Sequence, residues 1–332
     1  MEYTNEEINE ALASENPWKI VQSRDFNGHG TFIAGVACGT LIEEKNFSGV
    51  APLTTICAVK CKEAKQGLKS FYHIDTDEPV YAETDILIAT EYLRKKAAEA
   101  NMPLILCFGM GTSFGGHITG GILGEALRTI GDTKGAAVVT ACGNEGNTSR
   151  HYRSDILASG EDVEVEIRSG SRHGFTLELY SDSPQILSVS IISPSGGYSG
   201  KTIARHGEKR RVDFILEDTV VNIEYSLLSY ESGDEFIQMR FETPSEGIWK
   251  IRVFNETRGN AYFDMWLPIR NFLPPTTYFL EADPNITLCC PSNNANLISV
   301  SYYDSLNRSI AVDSSRGFAR NGNIKPDFAA PG

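Results

Sequence analysis

The change of hydrophobic period along the chain constrains its fold more than any other feature. Up to about residue 153 helical and strand-like patterns take turns. Thr4-Asn5-Glu6-Glu7 forms a capping-box signature that opens a short helix ending near Ala13. Small and apolar residues from Thr31 to Cys38 suit a tightly packed helix, and Thr55 to Val59 read as a buried strand. Leu87, Ile88, Tyr92 and Leu93 give a helix over about Glu83 to Ala98 one buried face. Pro103–Phe108 and Ala136–Ala141 are short apolar strands, separated by a glycine-rich loop and a helix over about Ile118–Ile130. This alternation specifies a parallel sheet covered on both faces, with the loops leaving its strands gathered at one edge. Cys107-Phe108-Gly109 and Cys142-Gly143-Asn144 leave strands at that edge, where α/β folds place their chemistry.

From about Ser154 the period falls to two. Val163–Ile167, Phe175–Leu179, Ile186–Ile192, Val212–Leu216, Val220–Leu227, Phe236–Phe241, Ile248–Phe254 and Ala261–Leu267 are short alternating segments. Glycine, serine and asparagine turns separate them. Strands in this number without helices specify a β-sandwich or jelly roll. Pro274-Pro275 ends the pattern, and buried-strand segments return at Ile286–Cys290 and Leu297–Val300. The chain therefore reads as an α/β core over residues 1–153, an all-β insertion over 154–275, and a return to the core over 276–332.

Composition narrows the function classes. A net charge of -13 gives no reason to expect nucleic-acid binding, and no apolar run is long enough to suggest a membrane span. The seven cysteines mostly sit in apolar runs such as LILCF and VVTAC. They read as buried thiols of a reducing compartment rather than a disulfide framework, and Cys57 and Cys61 lack zinc-site spacing. The acidic stretch after Met1 is unlike a signal peptide. No cofactor is required; a structural calcium site stays open but unsupported, because no acidic loop has convincing ligand spacing.

Two short motifs carry chemistry. Asn27-Gly28-His29-Gly30-Thr31 sets a histidine between glycines ahead of a helix, leaving the imidazole reachable. Such a ring can take a nucleophile's proton and return it to a leaving amine, or can be a plain surface histidine. Gly143-Asn144-Glu145-Gly146 follows the strand AVVTAC and presents an amide that either stabilises an oxyanion or caps the next turn.

Taken together, GHGTFIAGVACG, GVAP with AVK, LILCFGMG, VVTACGNEG and SSRGFARNGNIKPDFAAPG resemble, in order, conserved blocks of the subtilisin-like serine peptidases (peptidase S8). The resemblance implies an Asp–His–Ser triad with His29 as general base and Asn144 as oxyanion donor. It implies that Cys107, Phe108 and Gly109 bind substrate backbone as an added strand, with Gly109 and Gly111 leaving room in the cleft. Cys107 stands where the family usually has serine and is read as a wall residue. The insertion and EEINEALAS resemble clostridial Csp-type spore-germination proteases, which implies a spore or other intracellular setting, a protein or peptide substrate, and a cleaved propeptide as a partner.

Two departures qualify the resemblance. The family's aspartate block precedes the histidine, and residues 1–28 hold no Asp-Ser/Thr-Gly. Asp25 is too near the helix start to be a confident substitute. The family's Gly-Thr-Ser nucleophile block follows the region ending in APG; the one such triplet here, Gly111-Thr112-Ser113, precedes Asn144 and reads as a cleft loop. The chain is accordingly expected to be a fragment of an endopeptidase and inactive alone. A naturally inactive, regulatory relative is the alternative. A third use concerns the insertion, whose Trp249, Tyr262, Phe263 and Trp266 fit a recognition surface or a packed core equally well.

Overall fold

The computed structural model describes residues 1–230 and 232–332. These form two compact units, Met1–Lys62 and Glu63–Gly332.

In the first unit, α1 (Asn5–Ala13) is capped as the sequence specifies. Thr4 Oγ1 accepts from the Glu7 amide, and the Glu7 carboxylate accepts from the Thr4 amide at 2.7 Å. The second helix, α2 (His29–Cys38), begins after Gly28, whose φ of 85° is costly for any residue with a Cβ. Thr55–Val59 is a correction: it forms no strand, and Ile56 is exposed. An apolar run supplies strand propensity, but a strand also needs a ladder partner, and none of the described strands pairs with it.

In the second unit, α3 (Gln66–Phe71) and α4 (Glu83–Glu99) precede β1 (Leu104–Phe108), α5 (Gly121–Gly131) and β2 (Ala136–Ala141). β1 runs parallel to β2, with Leu106 opposite Val138 and Phe108 opposite Thr140. Leu106, Phe108, Val138 and Thr140 are all buried, whereas Ile105 is 75% exposed. The period of two therefore separates a packed face from an open one. Leu123, Leu127 and Ile130 of α5 are buried at helical spacing, and α5 packs on β2. The buried residues of α4 are Ile86, Ala89 and Thr90, while Ile88 is 69% exposed and Leu87, Tyr92 and Leu93 are half-buried, so the packed stripe is displaced from the expected one. α5 begins three residues later than the pattern implies, because Gly120 turns the chain with φ 78°.

Ten strands follow: β3 (His151–Arg153), β4 (Asp162–Ser169), β5 (Phe175–Ser181), β6 (Leu187–Ile192), β7 (Lys209–Phe214), β8 (Thr219–Ser226), β9 (Glu235–Glu242), β10 (Gly247–Asn255), β11 (Asp264–Trp266) and β12 (Tyr278–Phe279). They build two antiparallel sheets, in the orders β12-β4-β10-β6 and β3-β11-β5-β9-β8-β7. Both sheets contribute to one core that includes Phe175, Phe241, Trp249, Phe263 and Phe279. Rings of this kind each bury about 150–250 Å². At about 25 cal/mol per Å² that is roughly 4–6 kcal/mol of gross driving force apiece, an upper bound. β7 starts and ends earlier than the hydrophobic run predicts, leaving Ile215 and Leu216 exposed beyond it.

The chain then returns to the parallel sheet. β13 (Ile298–Asp304) lies alongside β2 in parallel, with β15 (Phe328–Pro331) parallel to β13 and β14 (Ser309–Ile310) antiparallel to it. Ile286–Cys290 is buried as expected, yet apart from a bridge between Thr112 and Cys290 it is not a strand. Its main chain is used elsewhere: Cys289 N donates to Cys142 O, and Thr287 N to Arg316 O. No helix among the described residues is long and apolar enough to cross a membrane.

Candidate functional site

β1 and β2 are parallel and in register at their ends, so the loops that leave them start side by side. The first, from Gly109, contains Gly111, Ser113 and His117. The second is Cys142-Gly143-Asn144-Glu145-Gly146.

The second loop has an unusual backbone. Gly143 has φ 95°, and a Cβ there would lie 2.4 Å from Cys289 Sγ. A Cβ on Gly146 would lie 2.2 Å from Ser314 O. Both glycines are required, because the Cys289 and Ser315 side chains crowd Gly143 and the main chain of Val312 and Ser314 runs against Gly146. Ser315 N donates to Gly143 O at 3.0 Å, Glu145 N to Ser315 Oγ at 2.9 Å, and Gly146 N to Asp313 O at 3.0 Å. Between these anchors Asn144 is exposed, and its amide has no partner among the described residues. Glu145 points inward and is 6% exposed; burial raises its carboxyl above the usual range.

The first loop is closely packed. A Cβ on Gly111 would meet Cys289 Cβ at 2.7 Å, so the missing side chain accommodates Cys289. Ser113 is 5% exposed and donates to Leu267 O at 2.8 Å, which makes it a buried latch. His117, also buried, stacks on Trp266 with centroids 3.8 Å apart and has Nε2 2.8 Å from Ser113 O. Burial pushes its pKa down to about 3, so the ring is neutral and its shorter contact is an Nε2–H donation. A neutral, enclosed ring of this kind braces the loop and is not placed to act on a ligand. Phe108 is buried in the sheet, Gly109 is half-buried, and Cys107 is exposed on the opposite face. Cys107 therefore lies outside the apolar packing its neighbours led us to expect, because a period of two turns it away from Leu106 and Phe108. Of the seven thiols, all free of disulfides, only Cys142, Cys289 and Cys290 are buried. β1 is the edge strand of its sheet.

His29 belongs to the other compact unit, at the first position of α2, and is exposed. The turn before it is built by Asp25. One carboxylate oxygen accepts from the amides of Asn27 (3.0 Å) and Gly28 (2.8 Å), the other from Thr31 N (3.1 Å) and Thr31 Oγ1 (2.7 Å). These bonds, the Gly28 amide first, lower its pKa to about 2. Asp25 is thus committed to opening the helix that carries His29. Among the described residues no group of His, Cys, Asp and Glu side chains is arranged to hold a metal ion.

Residues 3–196 match the model of the subtilase family, peptidase S8. The chain belongs to the subtilase family. Thermitase of Thermoactinomyces vulgaris is 25% identical over 182 residues, which are 54% of this chain and 57% of thermitase. The solved structure of the Clostridium perfringens CspB protease superposes with a TM-score of 0.85 at 28% identity, over 99% of this chain and 68% of that one. The chain thus spans little more than half the length of thermitase. The blocks from Asp304 onward lie outside the residues matched by the family model, and their likeness rests on the CspB structure.

The sequence drew attention to Asn144 but not to what holds it. Glu145 stands in the motif itself, and its burial could be suspected only from a charged residue between an exposed asparagine and an obligatory glycine. Ser315 and Arg270, which also engage this loop, carry no local signal.

Proposed function

We propose that this chain supplies the general base, His29, and the oxyanion donor, Asn144, of a subtilisin-like serine endopeptidase that cleaves peptide bonds through an acyl-enzyme. The observation that carries this reading is the exposed, unpartnered Asn144 amide on a loop fixed from both sides. Oxyanion stabilisation demands such a donor, because one that must be reorganised during the reaction forfeits much of its worth. In subtilisin, losing this type of donor costs about 2.7–4 kcal/mol of transition-state stabilisation. His29 would take the nucleophile's proton and pass it to the leaving amine. A protein or peptide substrate would add as a strand along the β1 edge, pairing with the main chain of Cys107, Phe108 and Gly109, with Gly111 lining the loop beyond.

The triad's aspartate and serine are not among the residues of this chain that match the family's blocks. Asp25 is occupied by the helix start and Ser113 by Leu267, so the 332 residues alone would have no triad-dependent turnover. The chain divides in this reading into a peptidase core over 1–153, a β-sandwich or jelly-roll insertion over 154–275 and a return to the doubly wound core over 276–332. A Csp-type role in spore germination, with a cleaved propeptide as partner, is the setting that the likeness to CspB favours.

The test is labelling of the protein from its native cell with a serine-hydrolase phosphonate probe, located by peptide mass spectrometry. A labelled serine other than Ser113, lost in His29→Ala, is the expected result. Absence of label in folded protein would refute the peptidase reading and leave an inactive, regulatory relative.

A further inference from the structure

The loop that presents Asn144 is tied to the β-sheet insertion as well as to the parallel-sheet core. Both oxygens of the buried Glu145 carboxylate accept from the main-chain amide of Arg270, at 3.2 and 3.1 Å. Arg270 lies four residues beyond the end of β11, in the segment by which the chain leaves the six-stranded sheet. Oε2 of Glu145 also accepts from Thr148 Oγ1 at 3.0 Å. The Arg270 side chain reaches back across the same loop: Nη2 donates to Asn147 Oδ1 at 2.9 Å and Nη1 to Asp313 Oδ2 at 3.3 Å. Asp313 is the residue whose carbonyl receives the Gly146 amide.

The segment around Arg270 is itself held by the two loops at the sheet edge. Arg150 is buried and donates to Pro268 O at 3.2 Å and Leu273 O at 2.8 Å. Leu267 N donates to Arg150 O, and Leu267 O receives Ser113 Oγ. Residues 267–273 are therefore wedged between the cleft loop and the Asn144 loop, bonded to each.

We propose that Glu145 is a positioning residue for Asn144, acting through the main chain of Arg270, so that the insertion's exit segment serves as a strut for the oxyanion donor. The proposal rests on the oxyanion role assigned to Asn144 above. Its physical basis is that the Asn144 side chain has no partner of its own and takes its position from the backbone on either side. On the Gly143 side the backbone is set by Ser315. On the Gly146 side it is set by Asp313; between them the Glu145 amide donates to Ser315 Oγ, and the Glu145 side chain adds the tie to the insertion's exit segment. Oxyanion geometry tolerates displacements of about half an ångström, which main-chain anchors at the two ends alone do not guarantee for the residue between them.

The experiment is hydrogen–deuterium exchange on the full chain and its Glu145→Ala, Glu145→Gln and Arg270→Ala variants, joined to kinetics on the catalytically competent protein from the native cell carrying the same changes. Glu145→Ala should speed exchange of the Glu145 and Gly146 amides about tenfold, the shift expected when one net hydrogen bond is lost. Exchange of Ile237 and Met239 in the sandwich core should stay unchanged. Glu145→Gln retains an acceptor for the Arg270 amide and should restore most of the protection; it is also the variant to use if the alanine variant does not fold. Arg270→Ala keeps the main-chain donor and should loosen Asn147 more than Glu145. Turnover should show kcat lowered about tenfold with KM within about twofold, and rescue by glutamine, because the loss is felt in the transition state. Wild-type exchange across 143–146 in a folded Glu145→Ala chain would overturn the proposal. Faster exchange with unaltered kcat would support the strut and overturn the oxyanion role of Asn144 instead.

Discussion

Glu235→Gln should stabilise the protein at neutral and alkaline pH and leave it nearly unchanged in mild acid. Glu235 opens β9 and is fully buried. One carboxyl oxygen accepts from Leu187 N at 2.8 Å; the other has no partner among the described residues. Burial raises its pKa from 4.5 to about 8, only partly offset by the Leu187 amide. Above 4.5 the unfolded chain releases this proton while the native chain keeps it, so native stability falls as pH rises. The loss accumulates until the native group also ionises near pH 8 and is constant beyond. A gap of about three and a half pH units, at about 1.36 kcal/mol each, bounds the effect near 5 kcal/mol. Glutamine keeps the acceptor for Leu187, and its NH2 faces the same unpartnered space that the protonated oxygen occupies. The neutral forms should therefore be nearly equivalent. Urea unfolding at pH 4.5 and pH 8.5, for wild type and variant, measures the difference directly. The variant should lose several kcal/mol less across that interval. Identical pH dependence in the two proteins would show that Glu235 ionises normally, and the reasoning from burial would be wrong.

Two further perturbations probe the loops and their anchors. Gly143→Ala forces a Cβ into a left-handed backbone and against Cys289 Sγ, and should cost about 2–4 kcal/mol in chemical denaturation; a loss below about 0.5 kcal/mol would mean the loop relaxes freely. Arg320 is fully buried, with ion pairs to Asp182 and Asp234 at 2.6 Å each and to Asp264 at 3.3 Å. Arg320→Met removes the cation these three carboxylates share and should destabilise by about 3–5 kcal/mol in urea unfolding; a loss below about 0.5 kcal/mol would show that the buried pairs are not what holds this region.

What the sequence determined by itself is local and periodic. Thr4 and Glu7 cap α1 because both partners lie within one helical turn. Ala136–Ala141 is a strand and Glu83–Glu99 a helix because period and propensity agree within each segment. The alternating run after residue 154 could bury its apolar side only by pairing sheet on sheet, so Trp249 and Phe263 became core rather than surface. The motifs around His29 and Asn144 stand out in the sequence because each follows a glycine, and Gly28 and Gly143 do turn the chain through positive φ.

Only the tertiary structure decided what depends on distant partners. Thr55–Val59 has the composition of a strand and no ladder to join, while Ile88 has the spacing of a core residue and faces solvent. Gly111 makes room for Cys289, and Ser113 is latched to a carbonyl 154 residues away. Glu145 meets Arg270 across 125 residues of chain. A carboxylate's burial and partners are properties of the packed molecule, since nothing in its sequence neighbourhood fixes which main-chain amide will face it. For that reason the motif that presents Asn144 could be read from the sequence, while the contacts that hold it still could not.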